Sequence, residues 1–131
     1  VFGPNIFLTT GSNNIEFFLK HPKLQDKNFI VRVIPDSKVV EKCIKNGIEP
    51  KNLIAMMGPF SARLNKALFQ FYKADVVVAK ESNAEIKNKA KAAYELGIPL
   101  LVLSRQEENA FARIDDILFY LNSRRNCYEI K

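Results

Sequence analysis

The 131-residue chain has one histidine, two cysteines, five glycines and no tryptophan, and each scarcity removes a class of chemistry. Cys43 and Cys127 stand far apart in no CxxC spacing, so neither a disulfide framework nor a metal site is suggested, and a reducing cytoplasm is the default compartment. His21 precedes Pro22 in a polar stretch with no second His or Cys beside it, and is read as a solvent-exposed loop residue. One histidine cannot complete a Ser/His/Asp or Cys/His arrangement, and no paired carboxylates stand where an acid and a base would be needed. Self-contained acid–base catalysis is therefore not expected. The enzyme reading that survives is one in which a bound cofactor supplies the chemistry. The three-glycine dinucleotide fingerprint and the Walker lysine are also missing. No apolar run approaches the roughly 20 residues of a membrane-spanning helix, so a soluble protein with no membrane partner is expected. Val1-Phe2-Gly3-Pro4 lacks every part of a signal peptide, and there is no initiator Met. Residues 1–4 are read as a linker remnant, and 5–131 as one domain of a longer chain.

Hydrophobic residues make up 47% and charged residues 26%, the balance of an ordinary globular domain with room for a core. The net charge of +6 invites a nucleic-acid reading, but the distribution argues against it. Lys and Arg are scattered from Lys20 to Lys131 with no basic run and no aromatic-basic RNA motif. No nucleic-acid partner is expected. A diffuse positive field suits a polyanionic small molecule equally well.

Apolar runs alternate with amphipathic segments along the whole chain. Ile6-Phe7-Leu8, Phe29 to Ile34, Leu53 to Met57, Asp75 to Ala79 and Leu100 to Leu103 read as strands buried on both faces. Ile15, Phe18 and Leu19 mark the first helical face; Val39, Val40, Cys43 and Ile44 the second; Leu64, Ala67, Leu68 and Phe71 the third. Ile86, Ala90, Ala93 and Tyr94 make the fourth, with Lys87, Lys89 and Lys91 turned to water, and Ala110 to Leu121 a last helix. Five strand-then-helix units predict an α/β fold: a three-layer domain with a five-stranded, mostly parallel sheet and helices on both faces. Arg32, inside the second strand, is read as a sheet-edge residue or one half of a salt bridge.

In such sheets ligands lie beyond the carboxyl ends of the strands. The first of these ends is Thr9-Thr10-Gly11-Ser12-Asn13, where Gly11 permits a tight turn and Asn13 with Glu16 has the spacing of a capping box. Hydroxyls beside fresh helix N–H groups suit an anion or serve simply as caps. Gly58-Pro59 reads as a turn with proline opening a helix, or as a place where a flat ring can approach the backbone. Lys80 and Arg105 end apolar strands, where a charge is costly unless wet, ion-paired or bound to an anion.

Taken in series, these phrases resemble the C-terminal half of the precorrin-6A reductases of cobalamin biosynthesis, including the cobalt-precorrin-6A reductases. The matching words are Leu8-Thr9-Thr10-Gly11-Ser12 with Asn14, Arg32-Val33-Ile34-Pro35, Ile54-Ala55-Met56-Met57-Gly58-Pro59-Phe60 with Asn65, and Lys80-Glu81-Ser82. Lys89, Ala92-Ala93 and Gly97-Ile98-Pro99 continue the likeness. It departs at Asn83-Ala84-Glu85, where the family has glycines, and at Gln106, where the family has proline. The resemblance implies an NADPH- or NADH-dependent enzyme of two Rossmann-like halves. Its substrate would be precorrin-6A or cobalt-precorrin-6A, reduced by hydride transfer in the cleft between this half and an absent N-terminal domain. The residues then expected to hold the cofactor are Thr9, Thr10, Gly11, Ser12, Asn13, Gly58, Pro59, Phe60, Lys80, Ser82 and Arg105. The alternative is a non-enzymatic nucleotide- or anion-binding module of the same fold.

Overall fold

Each of the five apolar runs forms a strand in the computed structural model, which describes residues 3–80, 85–103 and 128–129. The elements are β1 (Asn5–Leu8), α1 (Ile15–Lys20), β2 (Asn28–Val33), α2 (Ser37–Lys45), β3 (Leu53–Ala55), α3 (Ala62–Phe71), β4 (Val76–Lys80), α4 (Ile86–Leu96) and β5 (Leu100–Leu103). A two-residue strand, β6 (Tyr128–Glu129), adds to β5. Among the described residues the five expected strands and this short edge strand make one sheet, in the order β3-β2-β1-β4-β5-β6. Every pairing is parallel. The expected helix over Ala110 to Leu121 lies outside the described residues.

Side chains alternate between two cores, one on each face of the sheet. Ile6, Leu8, Val31, Val33, Val76 and Val78 face α1 and α2, packing on Ile15, Phe18 and Cys43. Phe7, Ile30, Val77 and Ala79 face α3 and α4, packing on Phe69, Ala92 and Ala93. This period-2 division explains why the interiors of the runs are apolar, with Arg32 the charged residue inside one of them. Asp36 caps α2, its carboxylate accepting from the N–H groups of Lys38 (2.9 Å) and Val39 (3.2 Å). Gly97 ends α4 in the left-handed conformation, at φ 70°.

Several expectations need correction. The Asn13–Glu16 capping box does not form: α1 starts at Ile15, and its N-cap, Asn14, makes no side-chain cap. The chain instead closes a tight turn, with the Ile15 N–H donating to the Ser12 carbonyl at 3.4 Å. Pro59 does not open α3, which begins at Ala62 with the Ser61 hydroxyl accepting from the Leu64 N–H at 3.0 Å. The buried stripe of α3 is rotated from the one expected. Asn65 and Phe69 are inside while Phe71 is 76% exposed, because Phe69 meets Phe7 edge-on at 4.9 Å. His21 is buried rather than exposed, its Nδ1 accepting from the Lys23 N–H at 3.2 Å at the start of a short 3-10 turn. On α4, Lys89 is only 1% exposed and Tyr94 is 75% exposed, the reverse of the expected assignment. Lys87 and Lys91 do face solvent.

Candidate functional site

Strand order reverses between β1 and β4, and the crevice outside their carboxyl ends is where sheets of this kind place a ligand. Thr9 leaves β1 there. Its N–H (2.9 Å) and its hydroxyl (2.8 Å) both donate to the Val78 carbonyl, so Thr9 fastens the outgoing turn to β4. Thr10 follows at 3% exposure, and its Oγ1 has no hydrogen-bond partner among the described residues. A buried hydroxyl without a partner is costly. Gly11 adopts φ +79°, and a side chain built on it would meet none of the described residues within 4 Å. The turn thus needs glycine for its backbone and leaves open space above it. Ser12 is half-buried and Asn13 exposed on the far side of the same turn. Lys80 ends β4, partly buried.

The turn after β3 is built differently. Gly58 and Pro59 are joined by a cis peptide, and Phe60 is buried. α4 and its N-cap residue hold Phe60 by both backbone groups: its N–H donates to the Glu85 carboxylate, and its carbonyl accepts from Asn88 Nδ2 at 3.0 Å. Its ring lies 3.9 Å from the Arg32 guanidinium, which also stands 5.9 Å from the Phe7 ring. Asn65 on α3 accepts from Arg32 Nη1 at 2.7 Å. A Cβ on Gly58 would come within 2.8 Å of Glu85 Oε2 and 3.2 Å of the Phe60 ring. The ring that approaches this glycine is therefore the chain's own.

Arg32 is not at a sheet edge. β2 lies between β1 and β3, and the side chain is 5% exposed. Burial lowers its pKa to about 10, with the Glu85 charge opposing. Lys89 feels the same field. Burial, and then the neighbouring Arg32 charge, bring it down to about 8, again against Glu85. Arg32, Asn65, Glu85, Asn88 and Lys89 form a polar cluster that the sequence reading did not assemble. The available signal was phase: Arg32 lies two residues past Ile30 on the same strand face, and Lys89 three past Ile86 on the same helix face. Ser82 and Arg105, also expected at the site, lie outside the described residues. β1, β2 and β3 are successive neighbours, so the Gly11 and Gly58 turns start from strands roughly 10 Å apart. That is the span of an extended ligand rather than a single ion.

The chain matches the family described as precorrin-6x reductase CbiJ/CobK over residues 2–122. It belongs to the CbiJ/CobK family. Among curated relatives, the cobalt-precorrin-6A reductase of Methanothermobacter thermautotrophicus is 39% identical over 102 residues, covering 72% of this chain and 34% of that protein. The cobalt-precorrin-6A reductase of Salmonella typhimurium is 36% identical over 106 residues, covering 79% and 40%. The precorrin-6A reductase of Rhodococcus erythropolis is 31% identical over 118 residues, covering 88% and 44%. A solved structure of CobK precorrin-6A reductase shares the fold, with a TM-score of 0.61 at 20% identity over 86% of this chain and 47% of that one. The chain spans about a third to under half of the length of these curated relatives, and 47% of the solved chain. Among the described residues no helix is long and apolar enough to cross a membrane.

Proposed function

We propose that the chain is the C-terminal half of a two-domain reductase. The enzyme uses NADPH or NADH to reduce a ring double bond of precorrin-6A or cobalt-precorrin-6A in the cytoplasmic biosynthesis of cobalamin. Within a chain of this family, the observation that carries the reading is the buried Thr10 hydroxyl, without a partner among the described residues, beside the open Gly11 turn at the switch point of the sheet. A polar ligand group laid against that turn would satisfy the hydroxyl, and Gly11 presents no side chain to keep it away. The residues present thus fit a dinucleotide. When bound, the nicotinamide would supply the hydride.

The chain's own residues bind and orient. Thr9 holds the first turn to β4, Thr10 offers a hydrogen bond, and Gly11 with Ser12 and Asn13 shapes the approach. Gly58, Pro59 and Phe60 form a second wall that α4 fixes before any ligand arrives, which lowers the ordering cost of binding. Lys80 adds a cationic group at the end of β4, and by the family likeness Ser82 and Arg105 would contribute a hydroxyl and a second cation. The other wall of the cleft would come from the N-terminal domain.

The test compares the full-length protein with residues 1–131 alone, each given the tetrapyrrole and either nucleotide. The full-length protein should consume nucleotide only when tetrapyrrole is present. The isolated chain should stay at background, because hydride transfer needs donor and acceptor atoms held at roughly 3–3.5 Å and one wall cannot enforce that. Nucleotide binding without turnover by the full-length protein would instead leave the non-enzymatic module.

A further inference from the structure

Arg32 is the one charged residue in the buried apolar runs of β1, β2 and β3, and a charge there costs stability unless its surroundings use it. Its position two residues beyond Ile30 sends the guanidinium into the layer beneath α3 and α4, where Ile30 and Phe7 belong to the core. There it does two things at once. It donates to Asn65 Oδ1 at 2.7 Å, and it underlies the Phe60 ring at 3.9 Å. The Phe60 peptide is separately gripped from α4 and its N-cap residue, with Glu85 on its N–H and Asn88 on its carbonyl. Ring and backbone of one residue are thereby anchored by β2, through Asn65 by α3, and by α4. Gly58 is confined by the same contacts, since a methyl group there would strike Glu85 and the Phe60 ring.

We propose that Arg32 is a positioning residue that acts on the ligand through Phe60: it sets the Gly58–Pro59–Phe60 turn in its binding geometry and does not touch the ligand. The proposal rests on the reading above, that this turn meets the dinucleotide. A planar guanidinium can lie along an aromatic ring while its edge donates to Asn65, which a lysine ammonium cannot reproduce.

The experiment uses the full-length protein with Arg32→Met, Arg32→Lys, Phe60→Leu and the double variant Arg32→Met/Phe60→Leu. The Phe60 amide is followed by [15N]phenylalanine labelling without ligand, and the two KM values are measured separately. Arg32→Met should move the Phe60 amide and raise the KM for the dinucleotide by about tenfold, leaving kcat and the tetrapyrrole KM within about twofold, the pattern of a lost binding contact. Arg32→Lys should not restore the value. Phe60→Leu should reproduce the rise in dinucleotide KM, and the double variant should be no worse than the weaker-binding single, because both act through one contact. An unmoved amide would overturn the proposal, as would an additive double variant. A rise in the tetrapyrrole KM instead would make Arg32 a direct substrate ligand and overturn it equally. A moved amide with an unchanged dinucleotide KM would overturn the positioning role. Nucleotide binding at the Gly11 turn, read independently, then shows whether the wider functional reading falls with it.

Discussion

Replacing Lys89 by methionine is expected to stabilise the protein by on the order of 3 kcal/mol at pH 7, although it removes a charge beside Glu85. Lys89 is 1% exposed, and burial with the adjacent Arg32 lowers its pKa from 10.5 to about 8. Each unit of that difference is worth about 1.4 kcal/mol between the two protonation states. Below pH 8 the lysine is charged in both folded and unfolded chains, so the fold carries the whole penalty. Between about 8 and 10.5 the folded state releases its proton first, and wild-type stability rises with pH. Above about 10.5 the difference disappears. Thermal unfolding of wild type and Lys89→Met from pH 6 to 10.5 should therefore show a gain that is constant up to about 8 and then shrinks. A loss of stability at pH 7 would mean that Lys89 is compensated by its neighbours and that its burial is no burden.

Phe7→Ala is expected to destabilise by about 3–5 kcal/mol, the usual range for emptying a fully buried aromatic site. Phe7 has no exposed surface and packs edge-on against Phe69 at 4.9 Å and Tyr72 at 6.1 Å. The void would also lie beside Arg32, so the Phe60 amide should move in this variant too. Phe71→Ala makes the contrast. At 76% exposure its loss should change stability by no more than about 0.5 kcal/mol. Urea unfolding of the two variants decides whether Phe71 of α3 lies outside the core or, as hydrophobic spacing alone suggests, within it. Equal losses would contradict the observed orientation of that helix.

The strands were legible in the sequence because a parallel sheet covered on both faces leaves unbroken apolar runs, and Val76-Val77-Val78 has little reason to be anything else. Asp36 just ahead of α2, and Gly47 and Gly97 just past α2 and α4 at positive φ, are local start and stop signals of the same kind. What misled was the habit of sending every charge outward. On α4, Lys89 stands in phase with Ile86 and Ala93, and geometry places it inside whatever its hydropathy. Arg32 reads as an edge residue or one half of a salt bridge for the same reason, and only the strand order shows that β2 is interior. On α3, Asn65 and Phe69 were passed over for Leu64, Ala67 and Phe71, because the Arg32 contact that draws Asn65 inward links residues 33 positions apart. β6 is too short to carry any periodic signal. At the candidate site, the Thr10–Gly11 turn and the Gly58 turn were both found at strand ends. The reason for Gly58 was not, since the crowding there comes from Glu85 and Phe60.

The most direct measurement of the central claim is titration of the 15N-labelled full-length protein with NADPH and with NADH. The account predicts that at least one nucleotide shifts the amides of Thr10, Gly11 and Ser12 together with those of Gly58 and Phe60. Gly11→Val should weaken that response several-fold, because a β-branched residue resists φ +79° and fills the space above the turn. If neither nucleotide perturbs either turn, and oligonucleotides instead bind with a steep dependence on salt, the chain is not the cofactor-holding wall of a reductase.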